Sequence, residues 1–302
     1  MVLAVDLGQS GTRIRWPEGH FESARAKRAN ESSLEALRDV FEEVVEFHDG
    51  PLRSDLVALS LTALYGNVPV PDSFGALASE FFSAKDVAVI DDGLAGLIGA
   101  LGTADGVSLS VGSGVVAVAG HRGMFSHADG LGHVFGDIGG GYWLGRLALE
   151  RALATRQGRD EDVELLAFLK DEIDAFDQMQ SNVAQEAHML CISTARKVLE
   201  GAESEITGAL KIRNEGARGL AKTVRAAWLR AGGSQEESLS LALLGGLSRN
   251  RGYEEAITNG VLQLMPSVQF SPVRGNHLDG AIMIANTMKK DVLPLLRWWH
   301  KS

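Results

Sequence analysis

The first third of the chain alternates short apolar runs with segments of helical periodicity. Runs as long as one buried strand lie at Val2–Val5, Val57–Thr62 and Val87–Ile90. A Ser32-x-x-Glu35 pattern, followed by apolar residues at helical spacing, predicts a helix that ends near Phe47. Further helices are predicted at about 74–82 and 94–101. This order of strands and helices predicts an α/β unit with a mixed sheet.

The rest of the chain repeats that organisation around a long helical stretch. Buried strands are predicted at Val107–Val111, Val115–Ala119, Leu239–Leu244 and Val268–Phe270. Apolar spacing is helical through most of residues 147–230, and a last helix is expected through Ile284 and on to Trp299. The pattern predicts two domains.

The composition narrows the class of protein. Of the 302 residues, 45% are hydrophobic and 23% are charged, which is typical of a globular protein. The net charge of −10 argues against a nucleic-acid partner, and no apolar run approaches the length of a membrane span. Cys191 is the only cysteine, which excludes intrachain disulfides and iron–sulfur or zinc-finger ligand sets. Met1 leads directly into a strand rather than into a signal peptide, so we expect a cytoplasmic protein.

A turn of glycine and hydroxyl residues joins the first two predicted strands. Asp6 ends the first strand, and Gly8 and Gly11 lead into the second, at Thr12–Trp16. Such a turn offers close backbone approach, N–H groups and hydroxyls, all of which suit a phosphate. A carboxylate beside a phosphate needs a divalent cation in between, so Asp6 indicates Mg²⁺ bound through water. On this stretch alone, an ordinary polar turn is an equally good interpretation.

Two carboxylates, Asp91 and Asp92, follow the predicted strand at Val87–Ile90. Acidic residues at the carboxyl end of a strand lie where open α/β sheets bind their ligands. An Asp at this position is also a good helix N-cap. Both roles fit if one Asp caps the helix while the other faces a ligand. There it would accept the proton of a substrate hydroxyl that attacks phosphorus.

Two further glycine-rich turns follow predicted strands. Gly112-Ser113-Gly114 joins two strands in the manner of the first hairpin, and the two hairpins together could grip a polyphosphate from opposite sides. Gly245-Gly246 follows the strand at Leu239–Leu244, where bare backbone would let a nucleobase and ribose lie close. A plain strand-to-helix turn explains that pair equally well.

The most specific stretch runs from Gly130 to Gly145. A segment so rich in glycine loses much entropy on ordering, and is tolerable where the backbone lies against a ligand. Asp137 could accept two hydrogen bonds from adjacent sugar hydroxyls. The aromatic pair Tyr142 and Trp143 could frame the apolar face of a sugar. A flexible linker would not carry that aromatic pair.

This stretch resembles the sugar-site motif of the N-acetylglucosamine kinases, in the pattern Gly-x-Gly-His-x-x-Gly-Asp-x-Gly-x-x-Tyr-Trp. Those kinases belong to the BadF/BadG/BcrA/BcrD ATPase-like branch of the sugar kinase, actin and heat-shock chaperone ATPase superfamily. The resemblance runs from Val2 to about Met288. It implies a two-lobed actin-like ATPase fold, with duplicated ribonuclease H-like α/β domains and a cleft between the lobes. The implied N-terminal domain comprises residues 1–112 plus a C-terminal helix at 283–302, and the implied C-terminal domain comprises residues 113–282 with a helical insert.

The resemblance also implies a role for each motif. Asp92 is similar to the family's catalytic base, and Asp6 begins the stretch that matches its first phosphate motif. Phosphate binding is implied for Gly8, Gln9, Ser10, Gly11, Thr12, Gly112, Ser113 and Gly114. Nucleoside binding is implied for Gly245 and Gly246, and sugar binding for Asp92, Gly130 and Asp137. The implied activity is phosphorylation by ATP of the 6-hydroxyl of glucosamine or N-acetylglucosamine, and the implied assembly is a homodimer.

The chain departs from the family pattern at two positions. The acidic residue that often follows the motif's Asp is Ile138 here, so glucosamine or another hexose is as plausible an acceptor as N-acetylglucosamine. The glycine-rich strand end expected near Leu61 is Leu61-Thr62-Ala63-Leu64 instead.

Two other functions are alternatives to the kinase. Some members of this branch are ATPase activators of radical dehydratases, which hold an iron–sulfur cluster with cysteines, and Cys191 alone disfavours that function. A non-catalytic sugar sensor would use the same fold. The presence of both Asp6 and Asp92 disfavours a sensor.

Overall fold

The computed structural model describes residues 2–9, 11–28, 31–48, 50–179 and 183–301. In chain order, its helices and strands are β1 (Val2–Leu7), β2 (Thr12–Trp16), β3 (Gly19–Ser23), α1 (Ser33–Phe47), β4 (Leu56–Leu61), α2 (Asp72–Phe82), β5 (Asp86–Asp91), α3 (Asp92–Leu101), β6 (Gly106–Val111), β7 (Val115–His121), β8 (Met124–Asp129), α4 (Gly141–Arg156), α5 (Val163–Phe168), α6 (Lys170–Asp177), α7 (Val183–Glu203), α8 (Thr207–Arg230), β9 (Leu239–Leu244), α9 (Arg251–Leu264), β10 (Val268–Phe270), α10 (His277–Thr287) and β11 (Leu296–His300). Each strand predicted from an apolar run is present within two residues of its predicted ends. None of the described helices is long and apolar enough to cross a membrane.

The chain forms two compact units, each with its own sheet. The first contains residues 1–108 and 271–302, and the second contains residues 109–270. The predicted domain ends, at 112/113 and 282/283, lie 4 and 12 residues beyond these limits. As a division into functional domains they stay a prediction.

The sheet of the first unit has the strand order β11-β5-β4-β1-β2-β3. Its centre is parallel, because β1 pairs with β4 and β4 with β5 in the same direction. All six residues of β1 are buried, as expected for a strand covered on both faces. The register aligns Leu7 with Leu61 and Leu61 with Asp91. The carboxyl ends of these three strands therefore lie together at one edge.

Local signals determine where the helices of the first unit begin. The predicted capping box is confirmed, since the Ser32 side chain accepts the Glu35 N–H while the Glu35 carboxylate accepts the Ser32 N–H. Helices α3 and α10 contact each other through backbone. A Cβ added to Gly280 would lie 1.8 Å from the Ala95 carbonyl oxygen, so only glycine permits this approach.

The sheet of the second unit has the order β10-β9-β6-β7-β8. The helical stretch predicted at 147–230 is confirmed by helices α4 to α8. Helix α8 contacts β7, β8 and α9, and its Trp228 is completely buried. Strands β3 and β8 were not predicted; each extends a predicted hairpin by one antiparallel strand.

The C-terminal helix predicted at 283–302 is wrong beyond Thr287. Residues 296–300 form β11 instead, antiparallel to β5 at an edge of the first sheet. Leu296 and Trp298 are buried while Arg297 and Trp299 are half-buried, which is the two-residue period of a strand. Aromatic residues favour strands, and the Trp298 indole donates a hydrogen bond to the Met288 carbonyl at 2.8 Å. The two tryptophans therefore serve packing.

Candidate active site

Three carboxylates lie at the carboxyl edge of the parallel strands in the first unit. Asp91 ends β5 and caps α3, accepting hydrogen bonds from the N–H groups of Gly93 at 3.0 Å and Gly66 at 3.2 Å. Asp92 is the first residue of α3 and accepts a hydrogen bond from the Thr62 hydroxyl. Asp91 is therefore the residue of the pair that caps α3, and the Asp92 carboxylate takes no part in capping.

The environment of Asp92 favours its protonated form. Burial raises the pKa of Asp92, and the negative charge of Asp91 raises it further. The Thr62 hydrogen bond and the charge of His277 lower that pKa and offset part of the effect. Burial also raises the pKa of Asp91, but the N–H groups that Asp91 accepts favour its charged form. Both carboxyls therefore change protonation state above the usual range for Asp, which suits acid–base chemistry.

Asp6 is buried at the end of β1 and is held by two partners. The Arg13 Nη2 atom lies 2.5 Å from Asp6 Oδ2, and the Ser60 hydroxyl donates to Asp6 Oδ1 at 3.2 Å. Arg13 is directly opposite Asp6 in the β1–β2 register. Sequence reasoning missed Arg13, although its place seven residues after Asp6 across a two-strand turn could have identified it. Asp6 is also near enough to Asp92 to raise the pKa of that carboxyl.

The turn between β1 and β2 is the predicted first phosphate motif. Gly8 N–H donates to the Gly11 carbonyl at 3.0 Å, and a Cβ on Gly11 would lie 2.9 Å from the Ser23 carbonyl oxygen. Gln9 is exposed, whereas Ser10 lies outside the described residues. The Thr12 hydroxyl is buried and donates to the Arg25 carbonyl at 2.6 Å. That hydroxyl therefore supports the turn from within.

The predicted second phosphate motif, Gly112-Ser113-Gly114, is the β6–β7 turn of the second unit. Its carbonyl groups accept hydrogen bonds from the start of α4, from Gly141 N–H to Gly112 at 2.8 Å and from Tyr142 N–H to Ser113 at 3.0 Å. A Cβ added to Gly112 would meet open space. One face of the turn is thus bound to α4, and the Gly112 face is open.

The predicted sugar-binding acid, Asp137, is bound to the same turn. It is buried in the left-handed conformation, with φ of 61°, and its Oδ1 accepts the Val115 N–H at 3.0 Å. A Cβ on Gly114 would lie 2.8 Å from Asp137 Oδ2. Burial raises the pKa of Asp137, and the charge of Asp129 adds to that rise. Part of this carboxylate therefore attaches its own loop to the hairpin, a contact that the sequence did not reveal.

The other end of the loop is attached in the same way. Gly130, the second loop residue predicted to bind sugar, has φ of +68°, and its N–H donates to the Val115 carbonyl at 2.8 Å. The Asp137 N–H donates to Asp129 Oδ1 at 2.8 Å. The loop exposes large apolar side chains between these attachments, at Leu131, Val134 and Phe135, and directly after them, at Ile138.

The predicted nucleoside motif, Gly245-Gly246, lies at the end of β9 next to the second hairpin. Gly245 has φ of +92°, and a Cβ there would lie 2.3 Å from the Val111 carbonyl oxygen. A Cβ on Gly246 would meet nothing. The Leu247 side chain approaches Gly141, so the hairpin, the glycine-rich loop and the Gly-Gly turn lie together at one end of this sheet.

A polar cavity of about 380 Å³ lies between α8 and α9 in the second unit. Its lining is Arg213, Asn214, Ala217 and Arg218 from α8, with Gly252, Glu255, Ala256, Asn259, Gly260 and Gln263 from α9. Helix α9 begins five residues after Gly246, so the cavity adjoins the element that follows the Gly-Gly turn. Sequence reasoning missed it, because the lining residues are distributed along two helices with no motif.

His133, Tyr142 and His188 form an aromatic cluster beside the loop, with ring centroids 4.6 to 4.8 Å apart. Burial and the charge of His133 lower the pKa of His188. Cys191 is buried, as expected for a packing residue. Among the described residues, no group of three or more His, Cys, Asp or Glu side chains could hold a metal ion by itself.

Comparison with known proteins identifies the family. The profile of the BadF/BadG/BcrA/BcrD ATPase family matches residues 1–282, and the chain belongs to this family. No curated protein sequence gives a significant match.

Solved structures identify the fold. A candidate N-acetylglucosamine kinase from Chromobacterium violaceum is 22% identical, with 94% of this chain and 98% of that chain covered and a TM-score of 0.65. One from Porphyromonas gingivalis is 16% identical, with 95% and 100% covered and a TM-score of 0.64. A ROK family glucokinase from Streptomyces griseus, solved with glucose and AMPPNP, is 15% identical, with 94% and 98% covered and a TM-score of 0.55. The actin-like fold predicted from the sequence is confirmed.

Proposed function

We propose that this protein is an ATP-dependent kinase that phosphorylates the 6-hydroxyl of an amino sugar, glucosamine or N-acetylglucosamine. The observation that carries the proposal is the state of Asp92, a carboxyl with a raised pKa at the start of α3, beside a second carboxylate that is engaged in capping. Membership of an ATPase family supports ATP as the phosphoryl donor. The fold shared with proteins described as N-acetylglucosamine kinases and a glucokinase supports a sugar acceptor.

In the proposed reaction Asp92 is the general base. Its carboxylate accepts the proton of the sugar hydroxyl as that oxygen attacks the γ-phosphorus, and the bond from phosphorus to the bridging oxygen of ADP breaks. The Thr62 hydroxyl lowers the pKa of Asp92 and so favours the charged form, which can accept a proton. Because Asp91 is held by the Gly66 and Gly93 N–H groups, it orients α3 while its charge makes Asp92 more basic.

Phosphate binding is proposed for two turns, Gly8 to Thr12 of the first unit and Gly112 to Gly114 of the second. The Gly112 face is open, which leaves backbone accessible to a phosphate oxygen. Magnesium bound with ATP would neutralise charge on the β- and γ-phosphates. Asp6 offers the carboxylate oxygen that Mg²⁺ prefers, and one carboxylate fits an ion held mainly by phosphates and water, as an outer ligand.

Nucleoside binding is proposed for Gly245 and Gly246, with the purine in the polar cavity between α8 and α9. Gly246 presents bare backbone, which suits close approach of the ribose. The Arg213 guanidinium lies near Gly252 at the start of the cavity, where it could stack on a purine. The side chains of Asn214 and Asn259 offer donors and acceptors for its edge.

Sugar binding is proposed for Asp92 together with Gly130 and Asp137 on the glycine-rich loop. Ile138 follows Asp137 and packs on α8, since a Cβ on Gly219 would lie 2.4 Å from Ile138 Cγ2. Its side chain remains 44% exposed. An apolar residue there cannot accept a hydrogen bond from the 2-substituent of the sugar, so Ile138 is the proposed selector between acceptors.

The test is ADP release from Mg-ATP with glucosamine, N-acetylglucosamine, glucose or no sugar. The proposal expects strong release with one amino sugar and loss of at least about 100-fold in Asp92→Asn. Asp55→Asn is the matched control, because Asp55 is an exposed carboxylate of the same unit paired with Lys85. Release without any sugar would favour an ATPase activator, and full activity in Asp92→Asn would remove the assigned base.

A further inference from the structure

The buried hydroxyl of Tyr253 joins two elements of the second unit. Tyr253 is the third residue of α9 and is completely buried. Its hydroxyl donates a 2.7 Å hydrogen bond to the Gly139 carbonyl of the glycine-rich loop. A phenylalanine ring would fill the same space, so what the tyrosine hydroxyl adds is a specific hydrogen bond to the loop backbone.

Two glycines make room for that hydroxyl. Gly139 has φ of +91°, and a Cβ there would lie 2.9 Å from the Tyr253 hydroxyl oxygen. On the α8 side, a Cβ on Gly216 would lie 2.8 Å from the same oxygen and 3.1 Å from the Gly139 Cα. The hydroxyl is therefore enclosed by the loop and by α8. Any displacement of α9 that moves Tyr253 must move Gly139 or break the bond.

Each end of this contact belongs to a different candidate binding element. Gly139 lies between Asp137, which accepts the Val115 N–H, and Gly141, whose N–H donates to the Gly112 carbonyl. Tyr253 lies seven residues after Gly246, and its own N–H is bound by the Asn250 side chain that caps α9. The Tyr253–Gly139 bond thus links the element after the nucleoside turn to the loop with the sugar motif.

We propose that Tyr253 is a positioning residue that couples nucleotide binding at the Gly-Gly turn and α9 to the conformation of the acceptor loop, residues 130–141. The assignment of the two ligands rests on the proposed function. A nucleotide that stabilises the start of α9 holds Tyr253, and Tyr253 holds Gly139 in the conformation that presents Asp137 and Gly130. Because coupling between two sites is reciprocal, a bound acceptor tightens nucleotide binding by the same factor.

The experiment measures hydrogen exchange of the loop with and without Mg-AMPPNP, a readout that needs no acceptor. In the wild-type chain, we expect Mg-AMPPNP to slow exchange in residues 130–141 by about five-fold or more. In Tyr253→Phe the loop should lose that response while nucleotide affinity stays within about two-fold. In kinetic assays the same variant should raise the KM for the acceptor at saturating ATP about five-fold and, by reciprocity, the KM for ATP at saturating acceptor by the same factor.

Ser126→Ala is the matched control. The Ser126 hydroxyl is also buried in the second unit and donates to a backbone carbonyl, that of Ala227 in α8, rather than to the loop. It should keep the wild-type response, which separates coupling from a general loss of stability. Gly216→Ala is the second variant in case Tyr253→Phe does not fold, because its Cβ displaces the hydroxyl while favouring helix α8.

The outcomes separate this inference from the proposed function. A wild-type loop that does not respond to Mg-AMPPNP overturns the coupling, as does a Tyr253→Phe loop that responds like wild type. Silence in every sugar well combined with a responsive wild-type loop would overturn the kinase and leave the coupling standing. Sugar-dependent ADP release combined with an unresponsive loop would do the reverse.

Discussion

Replacing Thr62 by valine tests the role of Asp92 by changing the pKa of its carboxyl, while Asp92 itself is kept. Valine has nearly the shape of threonine but lacks the hydroxyl that donates to Asp92. That bond favours the charged carboxylate, so its loss raises the pKa of Asp92. Because a base must be deprotonated to act, the acidic limb of kcat/KM against pH should move to higher pH in Thr62→Val.

The size of the expected pKa change follows from the strength of the Thr62 hydrogen bond relative to the nearby charges. A hydrogen bond to a charged group contributes about 1.5–3 kcal/mol. The Thr62 bond affects the pKa of Asp92 less than the charges of Asp91 and His277 do, so the lower limit applies. About 1.4 kcal/mol corresponds to one pH unit. On the acidic limb, kcat/KM should fall about ten-fold, and on the high-pH plateau it should be unchanged.

The assay is ADP release with the active amino sugar between about pH 5 and 9, a range that brackets the raised pKa. Thr62→Ser, which keeps the hydroxyl, is the control and should retain the wild-type profile. Thermal unfolding checks that Thr62→Val is folded, because Thr62 is buried. An unshifted acidic limb in Thr62→Val, or the same shift in Thr62→Ser, would refute the reasoning that Asp92 is a base controlled by this bond.

Two further predictions use glycines whose neighbours differ. Gly245→Ala should abolish nucleotide binding and lower the midpoint of thermal unfolding, because its Cβ would lie 2.3 Å from the Val111 carbonyl oxygen and φ is +92°. Gly246→Ala is the control and should fold normally, because its Cβ meets open space. Equal unfolding midpoints for the two variants would contradict this prediction. Gly280→Ala should reduce the free energy of unfolding by about 3 kcal/mol, because its Cβ would lie 1.8 Å from the Ala95 carbonyl oxygen where α3 contacts α10. Urea denaturation measures this change, and a loss below about 0.5 kcal/mol would show that the two helices separate easily.

Features that depend on neighbours along the chain were predictable from the sequence. The apolar runs predicted the strands, because a strand of about six residues must bury its side chains within that length. The capping box of Ser32 and Glu35 predicted the start of α1, since its partners are three residues apart. An Asp that follows a strand predicted the cap of α3, and Asp91 fills that role.

Features that depend on contacts between distant residues were decided by the tertiary structure. Arg13 binds Asp6 because the β1–β2 register places them opposite each other, and Tyr253 binds Gly139 across 114 positions of sequence. Residues 296–300 form a strand rather than a helix because the edge of β5 supplies hydrogen-bond partners that local propensity cannot report.

The same distinction applies to the chemistry of the site. Residue types and spacing identified the pair Asp91 and Asp92, Asp137 and the glycine turns as candidates, and the family resemblance singled out Asp92. Only the fold decided that Asp92 is buried, which raises its pKa, and that the Asp137 carboxylate already accepts the Val115 N–H. Burial and hydrogen bonding determine what a carboxyl can do, and both arise from parts of the chain that are remote in sequence.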